Sequence, residues 1–323
     1  MRLVFMGTPE FACKPLVSLI ESHHELLAVV TGRDKPVRRG NKTQPTAVCR
    51  EALDHSLTVF KPRSLKDKEL YKSLERLKPD MFIVIAFKIL PRKLFTLPRL
   101  GSINIHGSLL PKYRGAAPIN WALINGEKET GLTSFLLNDK VDTGDIVLQE
   151  KVAIGDEETF DSLYARLSEK CGMFLLKTLE KLEDKNFRPI VQNHSKISPA
   201  PKITPENSMI DFGFPARNVF NFVRGLSSIP GAYTFFRGTR VKILGCAIVE
   251  NDSDKETGSQ PKPGTIIPHK KKLLIQCAES VIEVTKIMPQ GKKTMDGGSF
   301  VNGYHPTEGE CFGEIPKQTN SKL

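Results

Sequence analysis

The chain has no CxxC pair and no paired histidines at metal-ligand spacing, and its six cysteines (Cys13, Cys49, Cys171, Cys246, Cys277, Cys311) lie scattered along 323 residues. That usage argues against a disulfide framework or a structural zinc site, so no metal is expected and the thiols read as those of a reduced, cytoplasmic protein. No apolar run approaches the roughly 20 residues that cross a bilayer, so no membrane partner is expected. The opening MRLVFMGTPEF carries one Arg and too short an apolar run for a signal-peptide core, and it reads as a first strand. Its turn, Gly7-Thr8-Pro9, lacks the GxGxxG of a dinucleotide-binding fold and serves better as a strand-to-helix connection. Acidic residues are in deficit, 36 against 47 basic ones, for a formal charge of +11. A basic balance favours a polyanionic partner and says nothing about fold.

What is present is an alternation of strand and helix signals. RLVFM, ELLAVV and DMFIVIAF are compact apolar runs, separated by stretches with helical spacing, and the last is apolar on both faces as a central parallel strand requires. Thr8 is expected to cap a helix that begins at Pro9. The pattern predicts an α/β fold, an open doubly wound, Rossmann-like sheet over residues 1–185. Residues 186–210 carry several prolines and little periodicity and read as an interdomain linker. Residues 211–305 hold one helical stretch and a series of short strand-like runs, which predicts a smaller C-terminal β-barrel of OB-like type, and 306–323 read as a polar tail.

The segment SINIHGSLLPKYRGAAP (102–118) places an amide and an imidazole, Asn104 and His106, on alternate positions at the end of a strand. Alternate residues of a strand share a face, so the two side chains project together. Downstream, NDKVDTGD (138–145) is a turn-like segment between two strand candidates, and one of its aspartates could approach that strand end. An amide, an imidazole and a carboxylate suit acyl or formyl transfer to an amine. The attack develops an oxyanion that Asn or His can hydrogen-bond, and a proton must leave the incoming nitrogen. No Ser or Cys nucleophile is needed. The competing reading is a pair of satisfied polar side chains beside a capping Asp. The basic run GRDKPVRRGNK (32–42) reads equally as a solvated loop.

The Asn-x-His pair, the Ser-Leu-Leu-Pro turn, Arg-Gly-Ala-Ala-Pro and Asp-Thr-Gly-Asp, taken in order, resemble the signature of the 10-formyltetrahydrofolate-dependent formyltransferase superfamily. The resemblance implies Asn104, His106 and Asp142 as catalytic residues. It implies Ser108, Leu109, Leu110 and Pro111 as the turn that contacts folate, with residues 82–91 as the wall of the pterin pocket. It also implies 10-formyltetrahydrofolate as co-substrate. One departure is Lys140-Val141, where the superfamily usually has Gly-Leu. From Met1 to about Tyr304 the chain resembles the members that formylate initiator methionyl-tRNA, which implies that tRNA as partner and a monomeric enzyme. In those members an Arg in a basic loop reads the tRNA acceptor end, a position matched by Arg39; Arg38 and Lys42 are further candidates, Arg38 standing where a Gly is usual. The rival readings are a same-scaffold enzyme acting on a sugar amine, a purine precursor or 10-formyltetrahydrofolate itself, and a non-catalytic RNA-binding protein.

Overall fold

The opening apolar run forms β1 (Arg2–Gly7), whose residues Leu3 to Met6 are all fully buried. A strand covered on both faces belongs in the middle of a parallel sheet. On one side β1 pairs with β2 (Glu25–Val30), which pairs in turn with the two-residue β3 (Val59–Phe60). On its other side lie β4 (Met81–Ile85) and then β5 (Ser102–His106), all parallel. Two antiparallel strands, β6 (Glu129–Leu136) and β7 (Ile146–Ala153), complete a seven-stranded sheet of order β7-β6-β5-β4-β1-β2-β3. The computed structural model describes residues 1–36, 43–249, 261–267 and 269–313. The chain divides into two units, and this sheet lies in the first, made of 1–118, 129–153 and 163–201.

Helices α1 (Cys13–Ile20), α2 (Ala47–Asp54) and α3 (Lys68–Arg76) connect the parallel strands. Leu70 and Leu74 of α3 pack with Val4, Met6, Phe82 and Val84. The Thr46 hydroxyl caps α2 and the Asp67 carboxylate caps α3. Thr8 does not cap α1. A 3-10 turn, Glu10–Ala12, intervenes, with Pro9 extended ahead of it and its carbonyl taking the Ala12 N–H. Gly7 is required by packing, since a Cβ there would stand 2.8 Å from that of Ala12.

The second unit comprises residues 119–128, 154–162 and 202 onward. The first of these stretches holds most of α4 (Pro118–Ile124), and the middle one holds the first residues of α5 (Phe160–Glu183). Its sheet is antiparallel, built from β8 (Ala232–Phe236), β9 (Thr239–Val249), β10 (Ile266–Ile267), β11 (Leu273–Gln276) and β12 (Val281–Pro289) in the order β8-β9-β12-β11-β10. Among the described residues no pairing joins the two outer strands, so the barrel is an open half-barrel. Register shifts around Gly245 bend its longest strand, as bulges do. Helix α6 (Ala216–Leu226) covers this sheet with Val219, Val223 and Leu226, and α7 (Gly297–Tyr304) adds Phe300.

Two stretches differ from expectation. Residues 186–201, read as part of a linker, belong with the first unit, where Pro199–Ala200 pair in parallel with Arg114–Gly115. Residues 306–313, read as tail, close the second core. Phe312 is 3% exposed, its ring centroid is 5.0 Å from that of Phe236, and its N–H donates to the Gly264 carbonyl.

Candidate active site

Asn104 and His106 sit on one face of β5, at its carboxyl end, where ligands of open α/β sheets bind. Across the register Asn104 stands beside Val84 on β4 and Phe135 on β6, and His106 beside Thr133. Asn104 is half-exposed, and its carboxamide makes no side-chain hydrogen bond among the described residues. His106 is buried. Its Nε2 lies 2.7 Å from the Tyr113 carbonyl oxygen. A carbonyl only accepts, so Nε2 carries the proton, and Nδ1 of the neutral ring presents a lone pair. That lone pair faces Asp142, whose Oδ2 is 3.9 Å from Nδ1.

Asp142 is itself buried, and its Oδ2 accepts the Gly115 N–H at 2.9 Å. Its φ of 54° is left-handed, a setting uncommon outside Gly that Asp, like Asn and His, adopts more readily than other side chains. The turn that imposes it is tied on three sides. Asn138 Oδ1 accepts from the Lys140 N–H and the Thr143 hydroxyl. Gly144 passes so close to Leu136 that a Cβ would fall 1.6 Å from its carbonyl oxygen. Gln192 Nε2 donates to the Asp142 and Gly144 carbonyls at 3.1 and 2.7 Å. Lys140 and Val141, where the sequence departs from the usual pattern, have exposed side chains, and Lys140 joins these ties only through its backbone. Asp145 is exposed, and its backbone carbonyl takes the Leu136 N–H.

Gln192 is held in turn by Arg114, whose Nε and Nη2 donate to its Oε1. Burial pulls the Arg114 guanidinium below its ordinary pKa, with the Asp142 charge acting in the opposite direction. The Tyr113–Gly115 segment therefore serves both groups of the pair. Its first carbonyl fixes the imidazole, and its last N–H fixes the carboxylate. Gly115 is needed for this, because its φ is 128° and a Cβ would lie 2.4 Å from the Ala200 carbonyl oxygen.

The Ser108–Pro111 turn follows β5 directly. Ser108 is fully buried, with its hydroxyl donating to the Lys112 carbonyl, and Leu110 is buried before a cis Pro111. Leu109 is half-buried, touching the space above Gly131. Thr133 organises the turn, donating to the Ser108 carbonyl at 2.6 Å and accepting the Leu110 N–H at 3.1 Å. Gln149 donates to the Leu110 carbonyl and to the Thr133 hydroxyl. Leu110 packs with Phe135 and Ile146, while Val84, Leu90 and Phe87 form the apolar group beneath 82–91, and Leu137 touches both groups.

Arg38, Arg39 and Lys42 lie outside the described residues. The flanking Lys35–Pro36 and Thr43–Gln44 pair antiparallel. Sequence reading missed Gln192, Thr133, Gln149 and the Tyr113 carbonyl. Gln192 sits in an aperiodic, proline-rich stretch with no local signal, and a carbonyl's role leaves no trace in a side chain.

The doubly wound sheet, with an imidazole, a carboxamide and a buried carboxylate gathered at the end of one strand, defines an enzyme of the α/β class with its polar site at the carboxyl end of the sheet. Residues 1–179 match the formyl transferase domain, and residues 202–305 match the formyl transferase C-terminal domain. The methionyl-tRNA formyltransferase of Alkaliphilus oremlandii is 40% identical over 97% of this chain and 100% of its own length. That of Caldanaerobacter subterraneus is 40% identical over 96% and 99%. An N-formyltransferase from Helicobacter canadensis, solved with folinic acid and dTDP-3-aminofucose, superposes with a TM-score of 0.65 at 18% identity, covering 87% of this chain and 98% of that one. The chain belongs to the formyl transferase family. Its relatives over nearly the whole length include these methionyl-tRNA formyltransferases.

Proposed function

We propose that the protein moves the formyl group of 10-formyltetrahydrofolate to the α-amine of methionine esterified to initiator tRNA, giving N-formylmethionyl-tRNA. The observation that carries formyl transfer is the convergence of Asn104, His106 and Asp142 at one strand end, with His106 Nδ1 3.9 Å from the carboxylate. The acceptor rests on the 40% identity to methionyl-tRNA formyltransferases over both domains. The likeness to sugar N-formyltransferases stays below 20% identity and reaches only the fold.

The amine nitrogen attacks the formyl carbon and forms the new C–N bond. The carbonyl oxygen takes up the negative charge, and the Asn104 carboxamide donates to it; removing one such donor slows a reaction about 10²–10³-fold. The nitrogen's proton passes to His106 Nδ1, the one ring nitrogen with a free lone pair. Asp142 stabilises the imidazolium that results, across a gap wide enough for a shared amine N–H or a water. Collapse of the intermediate breaks the carbon–N10 bond, and the proton returns to N10 as it leaves. The Ser108–Pro111 turn and the apolar surface around Leu90, Leu110 and Leu137 would hold the pterin end of the folate. Arg38, Arg39 and Lys42 would contact the tRNA acceptor stem, giving an affinity that falls steeply with salt.

The test combines methionyl-tRNA and labelled 10-formyltetrahydrofolate with the protein, followed by detection of N-formylmethionine. Label in methionine, with none in a free amino sugar, supports the proposal. Equal transfer to the sugar, or no transfer by folded protein, overturns it. Arg39→Ala is expected to weaken tRNA binding while leaving folate binding unchanged.

A further inference from the structure

On the opposite rim of the sheet, at the amino ends of the strands, His23, His24 and Glu183 bring together donor atoms that all lie within 4.8 Å of one another. Among the described residues this is the one place where three such donors converge. The two histidines form the turn that enters β2, and Glu183 is the last residue of α5. We infer that these three side chains form a site for one divalent transition cation of the zinc class, separate from the formyl-transfer centre.

Two imidazoles and one carboxylate are a donor set that zinc accepts, with a fourth position left open. Zinc bonds of about 2.0–2.1 Å place neighbouring donors of a tetrahedron about 3.3 Å apart. His24 Nδ1 and Glu183 Oε1 are 3.8 Å apart, so small side-chain rotations would close the site. The His23 and His24 rings lie side by side with centroids 4.0 Å apart. His24 Nδ1 lies 3.2 Å from the Met1 amino group, so the lone pair of this buried ring is already turned toward a positive charge. The same ammonium is 3.8 Å from Glu183 Oε1, and an entering cation would have to displace it or deprotonate it. A bound cation would tie the end of α5 to the turn ahead of β2, clamping helix to sheet without touching Asn104 or His106.

Chelator-treated full-length protein titrated with Zn²⁺ by calorimetry, and with Co²⁺ by visible absorption, tests this. One equivalent is expected to bind with a micromolar dissociation constant, to give the absorption of four-coordinate Co²⁺, and to raise Tm by a few degrees. His23→Ala and Glu183→Gln change exposed side chains that the fold can spare. Each is expected to weaken binding at least about tenfold, with formyl transfer by the metal-free protein unchanged. Absence of saturable binding below millimolar cation, or equal binding by wild type and both variants, would overturn the inference.

Discussion

His106 Nδ1 and Asp142 Oδ2 face each other across 3.9 Å, too far to bond directly and close enough to share a third group. What orients the ring is the Tyr113 carbonyl, and what anchors the carboxylate is the Gly115 N–H, two residues along the same segment. These two anchors set the separation of the imidazole and the carboxylate.

A tautomer follows from this arrangement. Nitrogen-15 NMR of histidine-labelled protein is expected to find neutral His106 with its proton on Nε2. A proton on Nδ1 would remove the acceptor that the mechanism needs.

Gln192 should behave as a positioning residue. Gln192→Leu leaves two carbonyls and the Arg114 guanidinium without their partner, an expected loss of about 1–3 kcal/mol per unsatisfied buried group. Displacing the Asp142 turn by an ångström is expected to lower kcat by up to about 10² with little change in KM for the folate. Steady-state kinetics alongside a melting curve separate this from simple destabilisation. Gln192→Glu, which keeps the Arg114 contact but turns an oxygen against two carbonyls, is expected to do no better.

The segment 306–313 should prove structural. Phe312→Ala is expected to cost the second unit about 3–5 kcal/mol, measured by urea unfolding. Within the same segment the Arg237 guanidinium, backed by the Thr307 N–H, holds Glu310 down to about 2 from its usual value near 4.5. A carboxyl depressed in the folded state contributes stability above its unfolded pKa and loses it as pH falls toward the folded one. Glu310→Gln is therefore expected to flatten the acid limb of the stability curve between about pH 4.5 and pH 2. An unchanged limb would show the pair to be fully screened.

Much of this architecture was legible in the chain. The two-sided burial of β4 and the alternation of strand and helix are written in hydrophobic periodicity, which depends on near neighbours. The pairing of Asn104 with His106 follows from the two-residue repeat of a strand. What could not be read is what distance in the chain conceals. Gln192 reaches the Asp142 turn from a stretch without pattern, and Phe312 reaches a core from a segment dominated by polar neighbours. The 3-10 turn displaced Thr8 from its expected cap because Pro9 takes the extended conformation ahead of it. Gly144 and Gly115 show as glycines in any listing of the sequence, but their necessity appears only when the opposing carbonyls of Leu136 and Ala200 are in place.

The most direct measurement is a double-mutant cycle on the single-turnover rate of formyl transfer, built from His106→Asn, Asp142→Asn and the double variant. Because the two groups act on one proton, the double variant is expected to be no slower than about the worse single variant, each single losing about 10²–10⁴. Losses that multiply, as for residues acting independently, would contradict a shared proton path between them.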